Sequence, residues 1–299
     1  MSNAGTEEAR EVGLSRGRTL RFGRTLVMGI LNATEDSFFQ PSRSFSVEAS
    51  VGRARLMLEE GADILDIGAE STRPGSSPVS ENDEIRALAP VVKAVRDALP
   101  DVPISVDTRH PATARSALAA GADVVNDVSG LELPDALLMV SLLAESGAPY
   151  VLTHTKGTPD VMQLSPHYDD LIPELLEFFE RKVEILTRAG VSRERIILDP
   201  GVGFGKRRDD NIDIIAKLGQ FKKFGLPILI GASRKGFIGR VLELGGLASS
   251  MSPENCLEGT LAISTICAME SVEIVRVHDV LANRRVIEVA HAIRRRGYE

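Results

Sequence analysis

Eight short apolar runs punctuate this chain, and polar or charged residues close each of them. Leu26 to Leu31 ends at Asn32, Ile64 to Gly68 leads to Glu70, and Ile104 to Val106 ends at Asp107. Val124 and Val125 precede Asn126 and Asp127, Tyr150 to Thr153 precedes His154, and Ile196 to Leu198 ends at Asp199. Ile228 to Ala232 ends at Ser233, and Ile274 to Val277 contains Arg276 and is followed by His278 and Asp279. A strand buried on both faces reads as a continuous apolar run, not an alternating one. Segments of helical length separate the runs, at 47–60, 80–99, 111–120, 135–146, 168–188, 211–224, 253–269 and 281–296. This alternation predicts an α/β fold with a single (β/α)8 TIM barrel. Long βα loops would crowd its C-terminal face, where such barrels place their active sites.

Local signals agree with this phasing. Ser80 precedes Asp83 by three residues, a near capping box, and Pro111 and Pro134 suit the first turns of the helices they open. Five predicted helices end in a glycine before the next strand, at Gly61, Gly121, Gly147, Gly190 and Gly225. Glycine is the favoured residue just past a helix C-terminus. The connections that follow strands are longer, at 32–46, 70–79 and 155–166. Loops of that kind on a rigid barrel carry binding and motion, and the first two are expected to close over the mouth.

Composition narrows the class. The chain has 299 residues, enough for one barrel and a short extension, with 43% hydrophobic and 26% charged residues. No apolar run approaches the roughly 18–20 residues needed to span a bilayer. Residues 1–24 are polar and are expected to form a flexible leader ahead of the barrel domain at 25–299, with Ser2-Asn3-Ala4 resembling a tag scar. Glu7, Glu8 and Glu11 argue against reading the leader's arginines as a transit peptide. Cys256 and Cys267 fit no metal or redox spacing, so buried free thiols in a cytoplasmic protein are expected. A net charge of −7 disfavours a general nucleic-acid-binding surface. Any anionic ligand must therefore meet a local cluster of positive charge.

The strand ends supply such chemistry. Asp107, Asn126 and Asp199 close three strands, and two carboxylates with an amide suit a flat heterocycle presenting ring N–H and amine donors. Arg73, Lys235, Arg276 and His278 supply the donors that a phosphate or carboxylate needs. His278 also reads as a satisfied structural histidine, and His154 divides evenly between ligand and packing roles. The run Asp199-Pro200-Gly201-Val202-Gly203-Phe204-Gly205-Lys206 is glycine-rich but lacks the spacing of a dinucleotide or P-loop fingerprint. Its glycines allow close backbone approach, and Phe204 can stack on a flat ring.

Seven segments, in order, resemble dihydropteroate synthase. They are Gly29-Ile30-Leu31-Asn32-Ala33-Thr34-Glu35-Asp36-Ser37-Phe38, Glu70-Ser71-Thr72-Arg73-Pro74-Gly75, Ser105-Val106-Asp107-Thr108, Asn126-Asp127-Val128-Ser129-Gly130, the glycine-rich run just quoted, Ser233-Arg234-Lys235 and Arg276-Val277-His278-Asp279-Val280. The resemblance covers the chain from about Val27 to Arg294. It implies a transferase of folate synthesis that joins 6-hydroxymethyl-7,8-dihydropterin diphosphate to p-aminobenzoate and releases pyrophosphate. By the same resemblance, Asp107, Asn126, Asp199 and Lys235 hold the pterin. Asn32, Arg276 and His278 take the diphosphate, with Asn32 on a Mg²⁺ cofactor. Thr72, Arg73, Phe204 and Ser233 form the p-aminobenzoate pocket. Asp107, Asp199, Lys235, Arg276 and His278 are the implied catalytic set, acting on a dissociative step that passes through a pterin cation. The family also implies a homodimer through the last helices.

Some residues depart from the family pattern. Glu35 stands where proline is usual, and Thr34-Glu35-Asp36-Ser37-Phe38-Phe39 is similar to the first loop of sulfonamide-resistant forms. No matching insertion lies between Gly205 and Asn211, and Thr153 and Thr155 stand where Met-His-Met is common. A sulfonamide-insensitive enzyme is therefore one expectation. The rival functions are a pterin-binding corrinoid methyltransferase, a pterin binder without turnover and a generic phosphate-handling barrel. Glu70 to Gly75 and Arg276 with His278 argue against the methyltransferase, the presence of Asn32, Lys235 and Arg276 argues against the binder, and the whole motif set argues against the generic barrel.

Overall fold

The computed structural model describes residues 10–33, 43–69, 80–157, 166–247 and 256–297. After a two-stranded hairpin, β1 (Arg10–Gly13) and β2 (Thr19–Phe22), eight parallel strands alternate with helices. They are β3 (Leu26–Asn32), β4 (Ile64–Gly68), β5 (Ile104–Asp107), β6 (Val124–Asp127), β7 (Tyr150–Thr153), β8 (Ile196–Asp199), β9 (Leu229–Ile230) and β10 (Ile274–Val277). Hydrogen bonding runs in the order β8, β7, β6, β5, β4, β3, β10, β9, and a bridge between Leu198 and Ile228 closes the ring. This is the expected (β/α)8 barrel.

The helices are α1 (Arg43–Glu59), α2 (Glu81–Ala98), α3 (Pro111–Ala120), α4 (Ala136–Ser146), α5 (Leu171–Arg188), α6 (Arg208–Ala216), α7 (Gly236–Leu244), α8 (Leu257–Met269) and α9 (Val280–Arg294). Ser80 caps α2 by accepting the Asp83 amide at 3.2 Å. The five glycines expected after helices all have positive φ. Two details differ from the expectation. The single helix foreseen at 211–224 breaks after Ala216, and a 3-10 turn around Gly219 follows. Helix α7 was not foreseen, because Gly236 and Gly239 weaken its helical signal.

The interior of the barrel is a separate apolar column. Leu26, Met28, Ile64, Val124, Val151, Ile197, Leu229 and Ile274 point inward and pack together. The opposite faces of the same strands pack against the helices in the larger core, which includes Val27, Leu65, Val125, Leu152 and Leu198.

The N-terminal segment corrects the expectation of a flexible leader. From Arg10 onward it is a hairpin whose Val12, Leu14 and Leu20 are buried against the inward column. Asp123, at the bottom end of β6, accepts from Ser15 Oγ at 2.5 Å, from Arg96 Nη2 at 2.6 Å and from Arg18. The hairpin therefore corks the floor of the barrel. The alternation in Glu11-Val12-Gly13-Leu14 is too short to stand out in a polar, arginine-rich stretch. Residues 1–9, including Ser2-Asn3-Ala4, lie outside the described residues.

Candidate active site

Inward-facing positions change character from bottom to top. One layer above the apolar column stand Asp66, Ser105, Asn126 and Arg276, and above them Asp107 and Asp199. Buried charges need partners. Arg276 Nε donates to Asp66 Oδ2 at 2.5 Å, its Nη2 donates to Asp107 Oδ2, and Asn126 Nδ2 donates to the same Asp66 oxygen at 3.1 Å. Burial opposes the charge of Arg276, but Asp66 and Asp107 outweigh it and raise its pKa above the ordinary arginine value.

Two carboxyls and an amine here are poised near neutrality. Burial pushes Asp107 up to about 7, against the pull of Arg276 and with help from Asp66 and Glu84. Burial also pushes Asp199 up to about 6, resisted by the Gly201 amide, which donates to Oδ1 at 2.8 Å. Lys235, just ahead of α7, is lowered to about 8 by burial and by Arg276, while Asp199 and Asp107 hold it up. Its Nζ sits 3.9 Å from the centroid of the Phe204 ring, a cation–π contact.

A ring N–H needs ionised carboxylates as acceptors, and a pterin oxygen or nitrogen needs a protonated Lys235. These states coexist between about 7 and about 8. Dihydropterin affinity, measured by calorimetry across pH, should trace a bell: weaker on acidification through about 7 and then about 6, and weaker again above about 8. A Kd flat with pH would refute this assignment of charge states.

The glycine-rich loop follows β8 directly. Gly201 has φ +72°, and a Cβ there would lie 1.9 Å from the His154 carbonyl oxygen, so only glycine lets this loop lie on the end of β7. The loop carries Phe204 over the mouth.

The remaining predicted residues fall as follows. Asn32 ends β3 and is exposed at the rim. Ser233 follows β9, and its Oγ lies 3.0 Å from His278 Nδ1 and accepts the His278 amide at 3.2 Å. The residues singled out for the carboxylate and for the diphosphate are thus neighbours. Thr72 and Arg73 lie outside the described residues, as do 34–39 of the first loop and most of both loops expected to close.

Three residues of the site escaped the sequence reading or were left open by it. Asp66 hides inside the apolar run Ile64–Gly68, and a lone carboxylate in a strand buried on both faces was the signal available. Lys206 ends the glycine-rich run, and its Nζ lies 2.9 Å from His154 Nδ1. His154, open between ligand and packing roles, meets Lys206 through Nδ1 and lies 4.7 Å from the Phe178 ring. A cleft of about 470 Å³ adjoins Phe204 and His154, between the start of α4's loop and α5, with Arg109, Lys156 and Arg181 facing Glu132, Glu174 and Glu177.

Comparison with known proteins places this geometry. Residues 28–278 match the pterin binding enzyme family. The chain is similar to the dihydropteroate synthase of Synechocystis, with 42% identity over 270 residues covering 90% of each protein. Among solved structures it is similar to Yersinia pestis dihydropteroate synthase in a sulfonamide drug complex, with a TM-score of 0.85 and 38% identity, covering 95% of this chain and 99% of that one. It is also similar to the Xanthomonas albilineans enzyme with 4-aminobenzoic acid, with a TM-score of 0.84 and 37% identity, covering 96% and 98%.

Proposed function

We propose a division of labour at the barrel mouth on the premise that the chain belongs to the dihydropteroate synthase family of pterin-binding enzymes. It is a transferase of folate synthesis: it joins 6-hydroxymethyl-7,8-dihydropterin diphosphate to p-aminobenzoate and gives 7,8-dihydropteroate and pyrophosphate. The observation that carries the reading of the site is the convergence of Asp107, Asn126, Asp199, Lys235 and Arg276 above one barrel floor.

In this reading the pterin ring enters the mouth and gives its N–H donors to Asp107 and Asp199, while Asn126 and Lys235 meet its remaining polar edge. Arg276 is then freed from Asp107 to face the diphosphate, with His278 beside it. As the C–O bond to diphosphate breaks, positive charge grows on the pterin methylene, where the two carboxylates stabilise it. Negative charge grows on pyrophosphate, where Arg276 and His278 stabilise it. The arylamine nitrogen, neutral at pH 7, then forms the new C–N bond and passes its proton to the departing pyrophosphate or to solvent. Ser233 and Phe204 hold the arylamine, with Ser233 at its carboxylate, next to the diphosphate subsite by virtue of its contact with His278. The family resemblance assigns Thr72 and Arg73 to the same pocket.

A Mg²⁺ ion fits this arrangement. Asn32 offers one exposed amide oxygen at the rim, and among the described residues no group of three or more His, Cys, Asp or Glu is arranged for a metal. Mg²⁺ is commonly held by one or two protein oxygens plus substrate phosphates, so Asn32 and the diphosphate would share it. When bound it neutralises the leaving group. The assembly we propose is a homodimer through α8 and α9, where Ile266, Leu281, Val289 and Ile293 expose apolar surface. We place the enzyme in the cytoplasm, in keeping with Cys256 and Cys267 being buried thiols. No helix among the described residues is long and apolar enough to cross a membrane.

The test is pyrophosphate release by the purified protein with dihydropterin diphosphate and Mg²⁺. Release that requires p-aminobenzoate supports the reading, and sulfonamide titration of that release then tests the insensitivity suggested by residues 34–39. Binding of the pterin without any release would leave only a pterin binder.

A further inference from the structure

Lys206 closes the glycine-rich loop but takes no part in the chemistry above. Its side chain turns back beneath the loop and is only 2% exposed. Nζ lies 2.9 Å from His154 Nδ1, 3.1 Å from the Phe204 carbonyl oxygen and 3.3 Å from the His154 carbonyl oxygen. An ammonium group has three protons to donate and no acceptor to fill. Here it meets three acceptors: two on the residue that follows β7 and one on Phe204 itself.

The surroundings are built for this clasp. Gly205 has φ +61°, and a Cβ there would stand 2.2 Å from the Lys156 carbonyl oxygen, so the loop lies flat on the chain leaving β7. Tyr168 Oη donates to the Gly205 carbonyl at 2.8 Å and pins the same turn. Burial, and then the charge of Lys206, keep His154 well below the usual histidine pKa, so its ring stays neutral with a lone pair free to accept. Burial lowers Lys206 itself to about 7, against Asp199 and Asp210, which favour its charge, and with Lys235 and Lys156, which oppose it. A buried amine this costly persists where removing it would leave three acceptors unpaired.

We infer that Lys206 is a positioning residue that sets affinity for the arylamine by clamping the backbone of Phe204 to the end of β7. The inference rests on the reading of Phe204 as a wall of the p-aminobenzoate pocket. Lys206 acts on the substrate only through Phe204. Without the clamp the loop loses its tie to His154, and Phe204 no longer holds one place over the mouth.

The experiment is steady-state pyrophosphate release by Lys206→Met, Lys206→Gln, Phe204→Leu and the double variant Phe204→Leu/Lys206→Met. Circular dichroism checks that each is folded. Lys206→Met is expected to raise KM for p-aminobenzoate about tenfold, the loss expected for one charge-assisted hydrogen bond, while kcat stays within about twofold. Lys206→Gln, which keeps a donor, should fall between it and the parent, and it decides the matter if Lys206→Met does not fold. Since Lys206 acts through Phe204, the double variant should match Phe204→Leu alone. A parental KM in the folded Lys206 variants, or single effects that add in the double variant, would overturn the inference while Phe204→Leu remains impaired. A parental KM in Phe204→Leu would overturn the pocket reading and this inference with it.

Discussion

Asp199→Asn will weaken dihydropterin binding by about 100-fold while the barrel stays folded. The size follows from the chemistry of the swap. Oδ1 of Asp199 already accepts the Gly201 amide, and an asparagine oxygen can keep that bond, so the glycine-rich loop holds its course. The other position changes from a charged acceptor to an NH₂ donor that faces a ring N–H. One charge-assisted hydrogen bond is lost and two donors are forced together, about 2–3 kcal/mol in all, and every 1.4 kcal/mol is about tenfold in affinity. Asp199→Ala goes further, since it also releases Gly201, and abolishes binding. Calorimetric titration with the dihydropterin diphosphate checks both. An affinity close to the parent in Asp199→Asn would remove this carboxylate from the pterin pocket.

Asp66→Ala will destabilise the protein by about 3 kcal/mol, the lower end of the cost of removing one partner from a buried charge cluster, because Arg276 keeps Asp107. Asp66 is fully buried and accepts from both Arg276 and Asn126 through one oxygen. Its loss leaves the Arg276 guanidinium with Asp107 alone and frees the Asn126 amide to turn. The midpoint of urea unfolding should drop with little change in slope, since the same surface is exposed. Asp66→Asn keeps the shape but not the charge and should lose less stability, while the guanidinium of Arg276 draws closer to Asp107. Dihydropterin would then compete with a tighter internal ion pair, so pterin affinity should fall as well. Stability unchanged in Asp66→Ala would mean that Arg276 does not depend on this carboxylate.

The expectations that held are those carried by local pattern. Eight apolar runs became eight parallel strands, and the polar residues closing them, Asp107, Asn126 and Asp199 among them, reached the mouth. Chain direction in a parallel barrel sends every strand's C-terminal end to the same face, so this needed no knowledge of contacts. Ser80 capped its helix and Pro111 opened one because those signals act within a few residues. The leader failed for a complementary reason. Val12, Leu14 and Leu20 look incidental in a polar stretch until the open floor of the barrel offers them a place. The helix foreseen at 211–224 broke at Lys217 because periodicity does not register a change in winding.

The sequence by itself determined the (β/α)8 fold, the family and the set of strand-end residues, because hydrophobic runs, caps and motifs are properties of short segments. Only the tertiary structure decided which of those residues act on one another. A strand that is apolar on both faces carries no alternation, so nothing in Ile64–Gly68 says that Asp66 faces inward. Barrel closure and register set that direction, and they bring Asp66 to Arg276 across 210 residues of chain. The same closure set Ser233 against His278, Lys235 over Phe204 and Lys206 beneath it. It also took the buried carboxylates far enough from water to move their pKa values toward neutrality, against the pull of the cations beside them, since charge–charge and desolvation effects depend on distance in space and not on distance along the chain.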